Sequence, residues 1–239
     1  MPTRNEHVTI DVPDAGEARV SGSYTRPPGA SATVVVAHGA GAGMDHPFLV
    51  GFTDALNDAG VATLRFNFPY SEAGRKFPDR APVAVSTWRA AMALAAARAG
   101  GGPVWAAGKS FGGRMASMAV AEGMPAAGLV FLGYPLHAPG KPEKPRDAHL
   151  YGLTPPLLFL QGTRDPFALP GELEPVAERI GPHARIEWTE GGDHSFHVAR
   201  SGRGPRENGA SLAGPVLRFL ADHAPGGKAP GADLPERSA

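Results

Sequence analysis

The run Thr33-Val34-Val35-Val36-Ala37 has no polar break. A strand of that kind has no face to give to water, so it belongs inside a sheet covered on both sides. Strand and helix patterns then alternate for the rest of the chain. Helices are predicted over Phe48–Asp58, Val83–Ala99, Phe111–Glu122, Glu172–Ile180 and Ala210–His223. Between them fall strand patterns at Val61–Phe66, Val104–Ala107, Gly128–Leu132, Leu157–Leu160 and Arg185–Trp188. Regular alternation of this kind predicts an α/β fold: a mostly parallel, doubly wound sheet with helices on both faces and its loops gathered at one edge. Two earlier runs, Val8–Val12 and Ala18–Tyr24, flank Gly16-Glu17 and are expected to extend the sheet as an antiparallel pair.

At 239 residues the chain is long enough for one large core, and residues 1–223 are expected to form a single domain. Residues 224–239, rich in Gly, Pro and charge, read as a disordered tail. The 23 residues 133–155 between two strands are too few for a separate cap domain, so an open site roofed by loops is expected.

The motif that carries chemistry is Gly108-Lys109-Ser110-Phe111-Gly112. It follows a strand and opens a helix, the context in which G-x-S-x-G lifts a serine to the sheet edge. A serine hydroxyl needs a base, and the base needs an orienting carboxylate. Leu157–Leu160 runs on through Gln161-Gly162-Thr163-Arg164 to Asp165, and the last strand runs into Gly191-Gly192-Asp193-His194. Both loops fall after strands, at the edge that carries Ser110. Ser110, Asp165 and His194 are therefore the expected nucleophile, orienting acid and general base, with Asp193 and His197 as rivals.

Tetrahedral intermediates need donors aimed at the oxyanion. The backbone N–H of Phe111 is one candidate. The glycine-rich stretch His38-Gly39-Ala40-Gly41 supplies the other, with Ala40 ahead of Gly41, and His38 is expected to brace that loop. A phosphate cradle is the competing reading, but the loop lacks the Lys-Ser/Thr ending of a P-loop. Met44, Tyr70, Tyr134, His137 and Phe167 stand near strand ends and are expected along the pocket wall.

Charge is balanced, with 23 basic and 23 acidic residues, and no basic stripe marks a nucleic-acid binder. No cluster of either sign points to a charged substrate. There is no cysteine, which excludes thiol nucleophiles and disulfides. The scattered histidines call for no metal, and no cofactor is implied. Met1–His7 lacks the apolar core of a signal peptide, and no run is long enough to span a bilayer, so a soluble cytoplasmic protein is expected.

These motifs resemble the α/β-hydrolase superfamily, in particular its dienelactone-hydrolase-like branch. The likeness extends to bacterial relatives of the testis-expressed and non-specific-lethal-complex hydrolase-like proteins. It is carried by His38-Gly39-Ala40-Gly41-Ala42-Gly43, Leu64-Arg65-Phe66-Asn67-Phe68-Pro69-Tyr70, Gly108–Arg114, Gly133-Tyr134-Pro135-Leu136-His137, Gln161–Phe167 and Gly191–Phe196. Together these span about residues 30 to 200. The resemblance implies the same trio, Ser110, Asp165 and His194. Dienelactone hydrolases proper usually carry cysteine where this chain has Ser110, so the resemblance does not imply a dienelactone substrate. The function expected is a carboxylesterase acting on small acyl esters, with a hydrolase-fold scaffold protein or an amidase as alternatives.

Overall fold

The computed structural model describes residues 4–13 and 18–224; most of the expected tail, and Gly16-Glu17 between the first two expected strands, lie outside them. Eight strands form one sheet in the order β1-β2-β4-β3-β5-β6-β7-β8. They are β1 (Arg4–Val12), β2 (Ala18–Arg26), β3 (Thr33–Ala37), β4 (Ala62–Phe66), β5 (Val104–Lys109), β6 (Leu129–Leu132), β7 (Leu157–Gly162) and β8 (Ala184–Thr189). β1 and β2 pair antiparallel, β2 joins β4 antiparallel, and every remaining pair is parallel.

Alternate residues of a strand point to opposite faces, which explains why the central runs are apolar throughout. Val35, Ala37, Leu64, Phe66, Phe131 and Phe159 enter one core. Against it pack α3 (Ala81–Arg98), α4 (Phe111–Ala121) and α5 (Pro170–Ile180), through Trp88, Met115 and Leu173. Val34, Val36, Val130, Leu132 and Leu158 enter the other, under α1 (Pro47–Asp58) and α7 (Ala213–Asp222). Each large apolar side chain so buried contributes roughly 1.5–3 kcal/mol.

Two expectations about helices need correction. One turn, α2 (Pro69–Glu72), forms where none was expected, started by Pro69 at its first position. The expected final helix Ala210–His223 is α7, which begins after Leu212, and a separate helix, α6 (Pro205–Ala210), forms before it where none was expected. Pro205 opens α6 early, and Pro215 in the first turn of α7 lacks the N–H to continue a helix from before it. Among the described residues there is no separate cap domain; residues 133–156 form a loop with one 3-10 turn, Leu150–Gly152. No helix among the described residues is long and apolar enough to cross a membrane.

Candidate active site

Ser110 sits between β5 and α4 with φ 49° and ψ −113°. A positive φ costs a residue with a side chain on the order of 1–3 kcal/mol, so the surroundings must enforce it. They do so by crowding. A Cβ on Gly108 would lie 2.2 Å from the Gly113 nitrogen, and one on Gly112 would lie 2.6 Å from the His38 carbonyl oxygen. Only glycines allow strand, turn and helix to approach this closely. Trp88 Nε1–H donates to the Gly112 carbonyl at 3.0 Å and pins the turn from the α3 side.

The Ser110 hydroxyl lies 2.8 Å from His194 Nε2, and His194 Nδ1 lies 2.7 Å from Asp165 Oδ2. Asp165 is 0% exposed. A carboxylate only accepts, so Nδ1 carries the imidazole proton and Nε2 is free to accept from the hydroxyl. Two further donors hold Asp165: Gln161 Nε2 at 2.6 Å and the Phe167 N–H at 2.9 Å. Gln161 in turn accepts the Tyr134 N–H at 2.7 Å. The Asp165 and His194 loops are held in register by backbone contact. A Cβ on Gly162 would fall 2.2 Å from the Gly192 oxygen, and the Arg164 N–H donates to that same carbonyl at 2.9 Å.

Burial lowers the His194 pKa below the ordinary histidine value; the bond to Asp165 raises it, and the Lys109 charge lowers it further. The neutral ring is therefore the resting form at neutral pH. The Phe167 ring lies against the imidazole, centroids 4.1 Å apart and 30° between planes.

The rivals take other roles. Asp193 Oδ1 accepts the backbone N–H of Ser195 at 2.8 Å and of His197 at 3.0 Å, which folds the turn bearing His194. His197 lines the cavity but lies outside the Ser110–His194–Asp165 chain.

The loop after β3 runs beside the serine: a Cβ on Gly39 would lie 3.6 Å from Ser110 Cβ. His38 braces it, its Nε2 accepting the Phe68 N–H at 3.1 Å and its Nδ1–H donating to the Gly39 carbonyl at 2.9 Å. Burial pushes its pKa down to about 4, which keeps the ring neutral. Asn67 accepts the Met44 N–H, and Ser71 of α2 donates to the Ala42 carbonyl, so β4 and α2 fix the far end.

A cavity of about 640 Å³ opens over Ser110 and His194, with Ala40, Phe111 and Phe167 on its wall. Met44, Tyr70, Tyr134 and His137, expected there too, are buried behind it. Their polar atoms explain why. Tyr70 Oη donates to the Gly39 carbonyl and Tyr134 Oη to the Arg146 carbonyl, while His137 spans the Ala138 carbonyl and Glu172. A polar tip satisfied by protein lets an aromatic body join the core.

No cluster of either sign along the sequence points to a charged substrate, but the fold gathers basic residues on the cavity wall. Lys109, Arg114, Arg146 and Arg203 all line the cavity, and its wall holds no aspartate or glutamate. Two buried polar atoms of wall residues, Arg114 Nε and Asn208 Oδ1, have no hydrogen-bond partner among the described residues. Among the described residues no group of three or more His, Asp or Glu could hold a metal ion.

A family model described as an alpha/beta hydrolase domain matches residues 30–221. Solved structures of similar shape include a dienelactone hydrolase from Anabaena variabilis, at 20% identity and TM-score 0.75 over 94% of this chain and 100% of that one. An alpha-beta serine hydrolase homologue from Coxiella burnetii is 22% identical, with TM-score 0.72 over 92% and 100% of the two chains. An a/b serine hydrolase without lid from Xanthomonas campestris is 21% identical, with TM-score 0.72 over 92% and 96%. At these identities the likeness speaks to the fold.

Proposed function

The chain belongs to the alpha/beta hydrolase domain family, and from that premise we propose that it is a serine carboxylesterase cleaving small acyl esters through an acyl-enzyme. One observation carries the reading: the continuous chain from Ser110 Oγ through His194 to the buried Asp165, at 2.8 and 2.7 Å.

In this reading Ser110 Oγ attacks the ester carbonyl carbon while His194 Nε2 takes the hydroxyl proton. The charge that develops on the carbonyl oxygen meets the backbone N–H of Phe111 and of Ala40. Phe111 opens α4, so its N–H has no acceptor within the helix. Asp165 holds the imidazolium, which then gives its proton to the departing alkoxide as the acyl C–O bond breaks. Water attacks the acyl-serine with His194 again as base, releasing the acid and restoring Ser110.

Short p-nitrophenyl esters should be turned over, and a fluorophosphonate should label Ser110. Replacing the serine by alanine should cost at least about 10³-fold in kcat. A folded protein that neither hydrolyses esters nor takes the label at Ser110 would return the chain to the scaffold reading.

A further inference from the structure

Four basic residues line the cavity that opens over Ser110. Among the described residues, none of Lys109, Arg114, Arg146 and Arg203 forms a salt bridge. A guanidinium only donates, so a group that seats against Arg114 from the cavity must offer acceptors.

Two of the four have their backbone fixed by hydrogen bonds. Arg114 stands in the first turn of α4, its N–H bonded to the Ser110 carbonyl at 3.1 Å, so its position is tied to the nucleophile. Arg146 belongs to the loop between β6 and β7. Its N–H donates to the Leu136 carbonyl at 2.7 Å, and its own carbonyl accepts Tyr134 Oη at 2.8 Å. Burial and the nearby Arg146 charge both hold the Arg114 pKa below the ordinary arginine value. Two like charges held near each other in this way repel, and a shared anion relieves both.

We propose that the ester cleaved here carries a phosphate on its alcohol or acyl half, seated between Arg114 and Arg146 while Ser110 attacks the acyl carbon. This rests on the esterase reading of the same site. A phosphate suits the wall better than a carboxylate because four basic residues and no acidic residue line the cavity, and a dianion offers more charge and more acceptor oxygens to the two forks. The phosphate ester itself is not cleaved. The acyl C–O bond breaks, water supplies hydroxide to the acyl carbon and a proton to the alcohol, and the phosphate leaves intact.

The test compares three acetates of similar size: 2-acetoxyethyl phosphate, acetoxyacetate and 2-acetoxyethanol. The phosphate should exceed the neutral ester in kcat/KM by roughly tenfold or more, a gain that shrinks as salt is added. Arg114→Gln and Arg146→Gln should each reduce the phosphate-to-neutral ratio several-fold, while Arg19→Gln, on β2 and outside the cavity lining, should leave it unchanged. Calorimetry with 2-ethoxyethyl phosphate, an ether with no ester to cleave, reads the anion site apart from turnover. Binding of that ether, weakened in both arginine variants, supports the anion site even if no ester is hydrolysed, an outcome that would sink the esterase reading alone. No advantage of the phosphate over the neutral ester together with no binding of the ether would overturn the proposal, and equal or better turnover of the carboxylate would overturn its commitment to phosphate.

Discussion

Gln161 donates to Asp165 at 2.6 Å from four residues upstream, and it does so from the buried end of β7, where its own oxygen takes the Tyr134 N–H. The side chain thus ties the β6 loop to the carboxylate behind His194. Gln161→Met keeps the approximate volume and loses both bonds. A hydrogen bond to a charged group contributes roughly 1.5–3 kcal/mol, so kcat should fall about ten- to a hundredfold. KM should change little, because Gln161 does not reach the cavity. A purely structural role would lower the urea midpoint and leave kcat per folded molecule intact, which steady-state kinetics on the folded variant would reveal.

The acid limb of kcat/KM reports the base. Burial holds the His194 pKa below the ordinary 6.5, and Lys109 adds to that lowering. Activity should therefore rise with pH through a value below 6.5 and be level by neutrality. Lys109→Met removes the cation, so the limb should move to higher pH. Lys109 itself, pushed down to about 8 by burial, loses its charge in mildly alkaline solution. A limb that stays put in the variant would mean that Lys109 does not act on the base.

Glycine substitutions separate the nucleophile turn from ordinary helix. A Cβ on Gly108 would meet backbone atoms of Gly112 and Gly113 at 2.4 and 2.2 Å, where nothing can swing aside. Gly108→Ala should cost more than about 3 kcal/mol, or prevent folding. Gly171, in the first turn of α5, has open space around it. Gly171→Ala should be neutral or stabilise by up to about 1 kcal/mol. Paired thermal melts decide it, and equal melting points for the two variants would refute the steric argument.

The contrast between those two glycines bears on what could be read before any coordinates. Unbroken apolar runs made the central strands legible, because Thr33–Ala37 has no face to give to water. Strand-end position brought Ser110, Asp165 and His194 forward as a trio, and the structure puts them in one hydrogen-bonded chain. Gln161 was passed over although it sits in the same stretch as Asp165; a polar residue closing an apolar strand was the available signal. Tyr70, Tyr134 and His137 were misplaced because their burial depends on distant carbonyls that no local pattern encodes. The basic wall was invisible for the same reason: Lys109 and Arg203 are 94 positions apart and meet only through the fold.

His38 converts burial into acid sensitivity. Its pKa is about 4 in the folded chain and near 6.5 when unfolded. Between those values the unfolded chain holds a proton that the folded one lacks, so lowering the pH favours unfolding. The neutral ring's contribution is fully present above pH 6.5 and should fall by roughly 3 kcal/mol on reaching pH 4. The same proton would strike function first. Nε2 could no longer accept the Phe68 N–H, and the loop carrying Gly39 and Ala40 would lose its brace. His38→Asn should be less stable at pH 7, since the Phe68 N–H loses its acceptor, yet its stability should decline less steeply between pH 6.5 and 4. Urea unfolding of both proteins across that range measures the two slopes, and parallel slopes would show that this histidine is not the group that titrates.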